Sequence, residues 1–405
     1  MPLKRIVKYL IVIGLLACPI NGLIEYLYTL GIDLRSSFDG RLFWIEKGIK
    51  DVLQLCVLVL TVASIARKNQ RGLDGLFLAL SLIMLLAFAL TLARDPLFAM
   101  IGARSLLPIL MFATGAACLS EEDLGAISRI LTVLVVFIVP LALAQFILGA
   151  TIYDVDGRAF GRFASRIFAT FCMPGSFGLF LVSFIMFIVS HRMLSSYFLI
   201  PVAVALIFLT GSGMALLSLG LFCIVTAVRR IESRRTRTMV LAGTPAALPF
   251  AALAAYYLMP VITGRPDIWR SPLTRLHMML NHFRDSGPWE IIVGKGLGYT
   301  TNTAFNLLPE GSALLNNAYF PESMYLSLFS QIGLIGGLLF IAMNIKIYWG
   351  SSCRHKVMIP AFMFMGLTIN LLELFPVNWL YMLILGVCSR NTTEGSPEDR
   401  MRLPG

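Results

Sequence analysis

The chain has 405 residues, of which 58% are hydrophobic and 14% charged, against roughly 25% charged in a soluble globular domain. Together with a mean hydropathy of +0.81, this excludes an ordinary soluble fold. The net charge of +11 would point to nucleic acid in a soluble protein, but here the basic residues gather at the ends of apolar runs, which leaves the lipid bilayer as the expected partner and no nucleic acid.

Apolar runs of about twenty residues, the helical length that crosses a ~30 Å hydrocarbon core, follow one another along the chain. Lipid offers the backbone no hydrogen-bond partner, so each run predicts a helix. In order they are 6–30, 51–66, 72–93, 101–119, 127–149, 167–190, 195–210, 213–228, 239–262, 323–349, 357–373 and 376–389. They predict an all-α, polytopic transmembrane bundle of about 12 spans, a single integral membrane domain over residues 1–405 with no soluble domain and no short-period repeat. The first run is too long for a secretory signal and lacks a convincing cleavage site, so it is kept as a helix.

Lys4, Arg5 and Lys8 precede the first run; Arg67, Lys68 and Arg71 follow the second; Arg229, Arg230, Arg234, Arg235 and Arg237 follow the eighth; Arg354 and Lys356 follow the tenth. With twelve crossings these groups share one side, so both termini are expected in the cytoplasm of a bacterial inner membrane protein. Acidic Glu121, Glu122 and Asp123 are the one inner loop that does not help. On the other side lie a small loop at 31–50 and two loops, 150–166 and 263–322, expected to form an extracytoplasmic active-site face. The last of these, between spans nine and ten, is too long for a connector and too short for its own core.

The first outer loop reads Asp156-Gly-Arg158-Ala-Phe-Gly-Arg162-Phe-Ala-Ser-Arg166 and runs on to Pro174-Gly175. Arginines at four-residue spacing share one face of a helix, and translocated basic residues run against the positive-inside tendency. An anionic ligand gives them a reason to be there, because guanidinium pairs bidentately with phosphate oxygens. The competing reading is that they snorkel to headgroups and pair with Asp154 and Asp156.

The long loop opens on Gly264-Arg265-Pro-Asp267-Ile-Trp269-Arg270, with Trp269 as an interfacial anchor and Arg265 the better ligand contact. Its Gly294-Lys295-Gly296-Leu297-Gly298-Tyr299 has the look of a phosphate loop but follows no strand and lacks the Lys-Ser/Thr, so a tight packed turn is expected instead. The loop returns to the bilayer at Glu322-Ser323-Met-Tyr325. A carboxylate at the mouth of a span is costly unless it works or is paired, which makes Glu322 a candidate general base; equally, a carboxylate is favoured by the dipole at a helix start. Arg94 and Arg104 are further outer cations for which snorkelling is a sufficient reason. The residues at 209–213, Leu-Thr-Gly-Ser-Gly, read as a plain turn between two short spans.

Cys18, Cys56, Cys118, Cys172, Cys223, Cys353 and Cys388 are scattered without metal-ligand spacing, and His277 and His282 lie five apart with no third ligand. Neither a disulfide nor a metal site is expected.

On these segments the chain resembles the bacterial O-antigen polymerase and O-antigen ligase superfamily. The segments are Arg166 to Pro174 with Gly175, Leu209-Thr-Gly-Ser212, Gly264-Arg265 to Trp269 leading to Gly294-Lys-Gly296-Leu-Gly298, and Glu322-Ser-Met-Tyr-Leu to Gly333-Leu-Ile-Gly336. The resemblance implies a fold like that of the GT-C glycosyltransferases and transfer of glycan from a polyprenyl-diphosphate carrier on the outer leaflet. It gives Arg166 and Arg265 the grip on the diphosphate, with Arg158, Arg162 and Arg270 nearby. Two departures stand out: Ser212-Gly213 replaces a frequent Ser-Arg, and Glu322 stands where the ligase branch carries histidine, which favours the polymerase.

The implied activity is that of a metal-independent, inverting glycosyltransferase needing no cofactor: a polymerase of lipid-linked oligosaccharide repeat units. Arginines would neutralise the departing diphosphate, and one carboxylate, for which Glu322 is the candidate, would accept the proton of the attacking hydroxyl. Its expected partners are the polyprenyl-diphosphate-linked glycan, the bilayer, and a chain-length regulator and flippase of the same pathway. The alternatives are a ligase joining glycan to lipid A-core, and a transporter of an anionic or lipid-linked solute, which should carry midplane charges and inverted repeats.

Overall fold

The structure, a computed structural model, describes residues 2–29, 41–68, 73–148, 167, 169, 171, 174–231, 257, 277, 280–281, 284–299, 301, 323–367 and 369–393. Most of those residues, 86%, are helical, with no strand among them. The long helices are α1 (Pro2–Thr29), α2 (Arg41–Lys68), α3 (Gly75–Arg94), α4 (Pro96–Cys118), α5 (Glu121–Leu148), α6 (Pro174–His191), α7 (Leu199–Thr210) and α8 (Gly213–Arg230). A short α9 (Pro288–Val293) is followed by α10 (Met324–Gly350), α11 (Ile359–Gly366) and α12 (Val377–Thr393). Among the described residues, 6 helices are long and apolar enough to cross a membrane, namely α2 to α5, α8 and α10.

Their outward faces carry Val52, Val59 and Val62 of α2, Leu78, Leu82 and Leu85 of α3, and Phe137 of α5, all exposed. Lipid is the solvent that suits such a surface. Short polar residues set the corners. Asp95 closes α3 through its N–H to Thr91 O at 2.7 Å and caps α4 by accepting from Leu97 and Phe98 N–H at 3.0 and 3.1 Å. Asp74 caps α3 and takes Lys346 Nζ of α10 on its other oxygen at 2.7 Å.

At the centre, α12 is buried from Val377 to Ser389 and packs along α4, where a Cβ added at Gly386 would strike the backbone of Phe112, Gly115 and Ala116. Small residues permit that approach, as between helices in lipid. Polar pairs tie the interior: Tyr381 donates to Asn344 Oδ1 at 2.6 Å, and the Thr61 and Thr114 hydroxyls lie 3.0 Å apart.

Two expected spans take a different form. The run 357–373 forms no continuous helix: a 3-10 turn (Arg354–Met358), the eight-residue α11 and another 3-10 turn (Leu371–Glu373) replace it, and α11 at 1.5 Å per residue spans only about 12 Å. The run 323–349 breaks at Gly333, whose φ of 70° and ψ of 179° are not helical. The bend is sharp enough for Phe329 to reach Gly337. The expected span 239–262 lies outside the described residues apart from Tyr257.

Candidate functional site

Arg158, Arg162, Arg166, Arg265, Arg270 and Glu322 all lie outside the described residues, as do Trp269 and His282. Of the candidate site residues, only Arg166 and Glu322 have described residues directly beside them, Ile167 and Ser323. Ile167, next to Arg166, donates its N–H to Leu209 O at 3.4 Å, beside the turn where Gly211 adopts φ 59° and Ser212 caps α8. Ala169, with φ 48°, is clamped by Gln145, which donates to its carbonyl at 2.9 Å and accepts from its N–H at 2.7 Å. At the start of α6, Gly175 faces Ile369, whose carbonyl accepts the N–H of Met324 at 3.1 Å; Ser323, next to Glu322, donates to Gly366 O at 3.2 Å.

The glycine segment is docked into the break of α10. Gly294, Gly296 and Gly298 have φ of 94°, 110° and 86°, a region open to glycine. Its N–H groups are spent inside the protein: Gly294 on Glu290 O at 2.9 Å, Lys295 on Ser330 O at 2.7 Å, Leu297 on Thr91 Oγ1 at 2.9 Å and Gly298 on Gln331 Oε1 at 3.0 Å. A phosphate cradle needs such donors free, so this is the tight packed turn the sequence suggested.

Polar groups accumulate at the same end on α2, α4 and the 3-10 turn before α12. Arg104 Nε lies 2.7 Å from Asp51 Oδ2, so Arg104 is ion-paired rather than snorkelling, a correction to the sequence reading. Lys50 stands 4.0 Å from Asp51 and 5.4 Å above the Phe375 ring. Gln54 Nε2, both polar atoms of the Asn370 side chain and Trp379 Nε1 are buried with no hydrogen-bond partner among the described residues, and buried polar groups without partners are uncommon. Asn370 directly precedes the turn carrying Glu373.

Sequence reasoning passed over Lys50, Asp51, Asn370 and Glu373. A signal exists for Glu373, an ionisable residue inside an apolar run, but hydropathy alone makes 357–373 one continuous helix. An ion pair, a carboxylate and unpaired amide groups at one end of the bundle can bind polyhydroxylated ligands and accept a proton from a hydroxyl.

At the opposite end, Lys8 pairs with Asp123 at 2.6 Å, and Arg354 lies 3.7 Å from Glu121 and 2.7 Å from His191 Nδ1. Arg229, Tyr348, Trp349 and Lys356 line a cavity of about 250 Å³. Lys8 and Arg354, basic residues that the sequence assigned to one side, thus both pair with the first turn of α5, and Arg229 and Lys356 share one cavity. Comparison with models of protein families and with curated proteins found no match.

Proposed function

We propose that the chain is a polymerase of polyprenyl-diphosphate-linked oligosaccharide repeat units, acting at the outer leaflet of a bacterial inner membrane with its basic end in the cytoplasm. The observation that carries this reading is contact between the resembling segments: Ile167 against Leu209 at the turn before α8, and residues 294–298 against the break at Gly333. Each contact joins segments far apart in sequence, as the parts of one site require.

In the reaction the anomeric carbon–oxygen bond to the diphosphate breaks as the acceptor hydroxyl forms the glycosidic bond from the opposite face. Arg166 and Arg265 hold the leaving diphosphate, and a carboxylate takes the hydroxyl proton. Glu322, at the mouth of the span, is one candidate for that base, and Glu373 is a second. A ligase using the same chemistry differs only in its acceptor.

A transporter is the second reading, favoured by the break in α10, since broken helices often hold solutes. Against it, the Ser330 carbonyl at the break is occupied by Lys295 N–H. Deleting the gene and separating surface glycans on a gel distinguishes the three. Single-repeat products support the polymerase; full-length but unattached chains replace it with a ligase; loss of all exported glycan replaces it with a transporter.

A further inference from the structure

The end of the bundle remote from the candidate site holds a cluster that the glycan reading does not use. Glu121 opens α5, Cys353 ends the connection after α10, and His355 lies in the following 3-10 turn. One ligand atom from each of the three lies within 4.8 Å of the others. His355 Nδ1 is 3.8 Å from Cys353 Sγ and 3.9 Å from Glu121 Oε2.

These separations are long for hydrogen bonds to nitrogen or oxygen but close to those between donors sharing a metal. Tetrahedral zinc with Zn–N of about 2.0 Å and Zn–S of about 2.3 Å places its ligand atoms about 3.4–3.6 Å apart. With all three atoms within 4.8 Å of one another, side-chain rotations of roughly an ångström would bring them onto a shared ion.

His355 itself is fully buried, and its Nδ1 faces both Cys353 Sγ and Glu121 Oε2, so one imidazole nitrogen is aimed into the cluster and can turn a lone pair toward an ion there. Cys388 of α12, also buried, lies close to Cys353. Glu121 is a third exposed on its side chain, which leaves a way in.

We propose that Glu121, Cys353 and His355 bind a borderline-soft divalent cation of the zinc class, with Cys388 or water completing the coordination. A thiolate and a carboxylate together balance the ion's two charges, which offsets the repulsion from Arg354, 3.7 Å from Glu121. The bound ion would fasten the connection after α10 to α5 and, through Cys388, to α12. Such a site is structural and lies apart from the glycan chemistry, so it neither needs nor contradicts a metal-independent transfer. A cytosolic setting suits it, because thiols stay reduced there.

The test uses the full chain purified in detergent, stripped with chelator and titrated with Co²⁺, then with Zn²⁺ in competition. Expected are a thiolate-to-cobalt charge-transfer band saturating near one ion per chain, its loss on adding Zn²⁺, and its absence in Cys353→Ser and in His355→Gln. Cys223→Ser, altering an exposed thiol on α8, should keep the band. Size-exclusion profiles of all variants identify any that fail to fold, and for those the same titration is run on Glu121→Gln, which must weaken binding at least tenfold. A wild-type chain without the band, or a band that persists in folded Cys353→Ser, overturns the proposal.

Discussion

Gln331, buried two residues before the break in α10, holds the backbone N–H of Gly298 at 3.0 Å across 33 positions of chain. The same oxygen accepts from Ser105 at 3.2 Å, and the amide nitrogen donates to Ser327 at 2.9 Å. One side chain thus joins α4, α10 and the glycine segment. Gln331→Leu leaves a buried N–H without an acceptor and should cost about 1–3 kcal/mol. The expected outcome is a lower midpoint in thermal unfolding of the detergent-solubilised protein, with faster proteolysis between residues 284 and 301.

Gly333 needs its backbone geometry for the same docking. At φ 70° and ψ 179° a side chain is strained, and a Cβ would strike the carbonyl of Ile292 and the backbone of Val293 in α9. Gly333→Ala is expected to destabilise by roughly 1–3 kcal/mol. Gly220→Ala, on α8 where nothing lies within 4 Å of the added carbon, should be neutral or stabilising by about 0.5–1 kcal/mol. Melting temperatures of the pair, measured side by side, check the contrast.

Gly386→Leu should be worse tolerated than either. The side chain would enter the contact between α12 and α4 at Phe112 and Gly115, where close-packed interiors do not yield and overpacking costs about 1–3 kcal/mol or more. Reduced accumulation in membranes and aggregation on solubilisation are the expected readouts, and unchanged yield and melting would show that the helices separate more easily than their packing implies.

The proposed chemistry predicts large losses from single changes. Arg166→Ala or Arg265→Ala should each cost on the order of 3 kcal/mol of transition-state stabilisation, read as a loss of long polymer on surface-glycan gels at equal protein level. Unchanged polymer in both variants would remove the diphosphate grip. Glu322→Gln and Glu373→Gln, compared in the same assay, assign the proton acceptor: the true base loses polymer and the other retains it.

The Lys346 and Asp74 ion pair joins a half-exposed ammonium to a buried carboxylate, so it is worth more than the ~0–1 kcal/mol of a surface pair. Asp74→Ala should cost more than Lys346→Ala, because Asp74 also caps α3 through Leu76 N–H at 2.8 Å, a cap being worth about 1 kcal/mol. Unfolding midpoints of the two variants rank the effects.

Apolar run length alone determined that this chain is a bundle of helices suited to lipid, since a backbone in hydrocarbon has no other way to satisfy itself. The same pattern located α1, α3, α4, α7, α8, α10 and α12 to within a few residues. However, α2 starts at Arg41 inside the expected loop 31–50, α5 takes Glu121–Asp123 into its first turn, and α6 starts at Pro174 rather than at 167. The sequence also identified the glycine segment as a packed turn, because turn glycines announce themselves locally. Tertiary structure decided the rest. The break at Gly333, the division of 357–373 into short pieces, the pairing of Arg104 with Asp51, and the meeting of Glu121, Cys353 and His355 each depend on contacts between residues distant in the chain. Hydropathy measures how a residue partitions into lipid, whereas a helix break or a ligand cluster is set by what a neighbouring helix presents to it. That information exists only once the helices have packed.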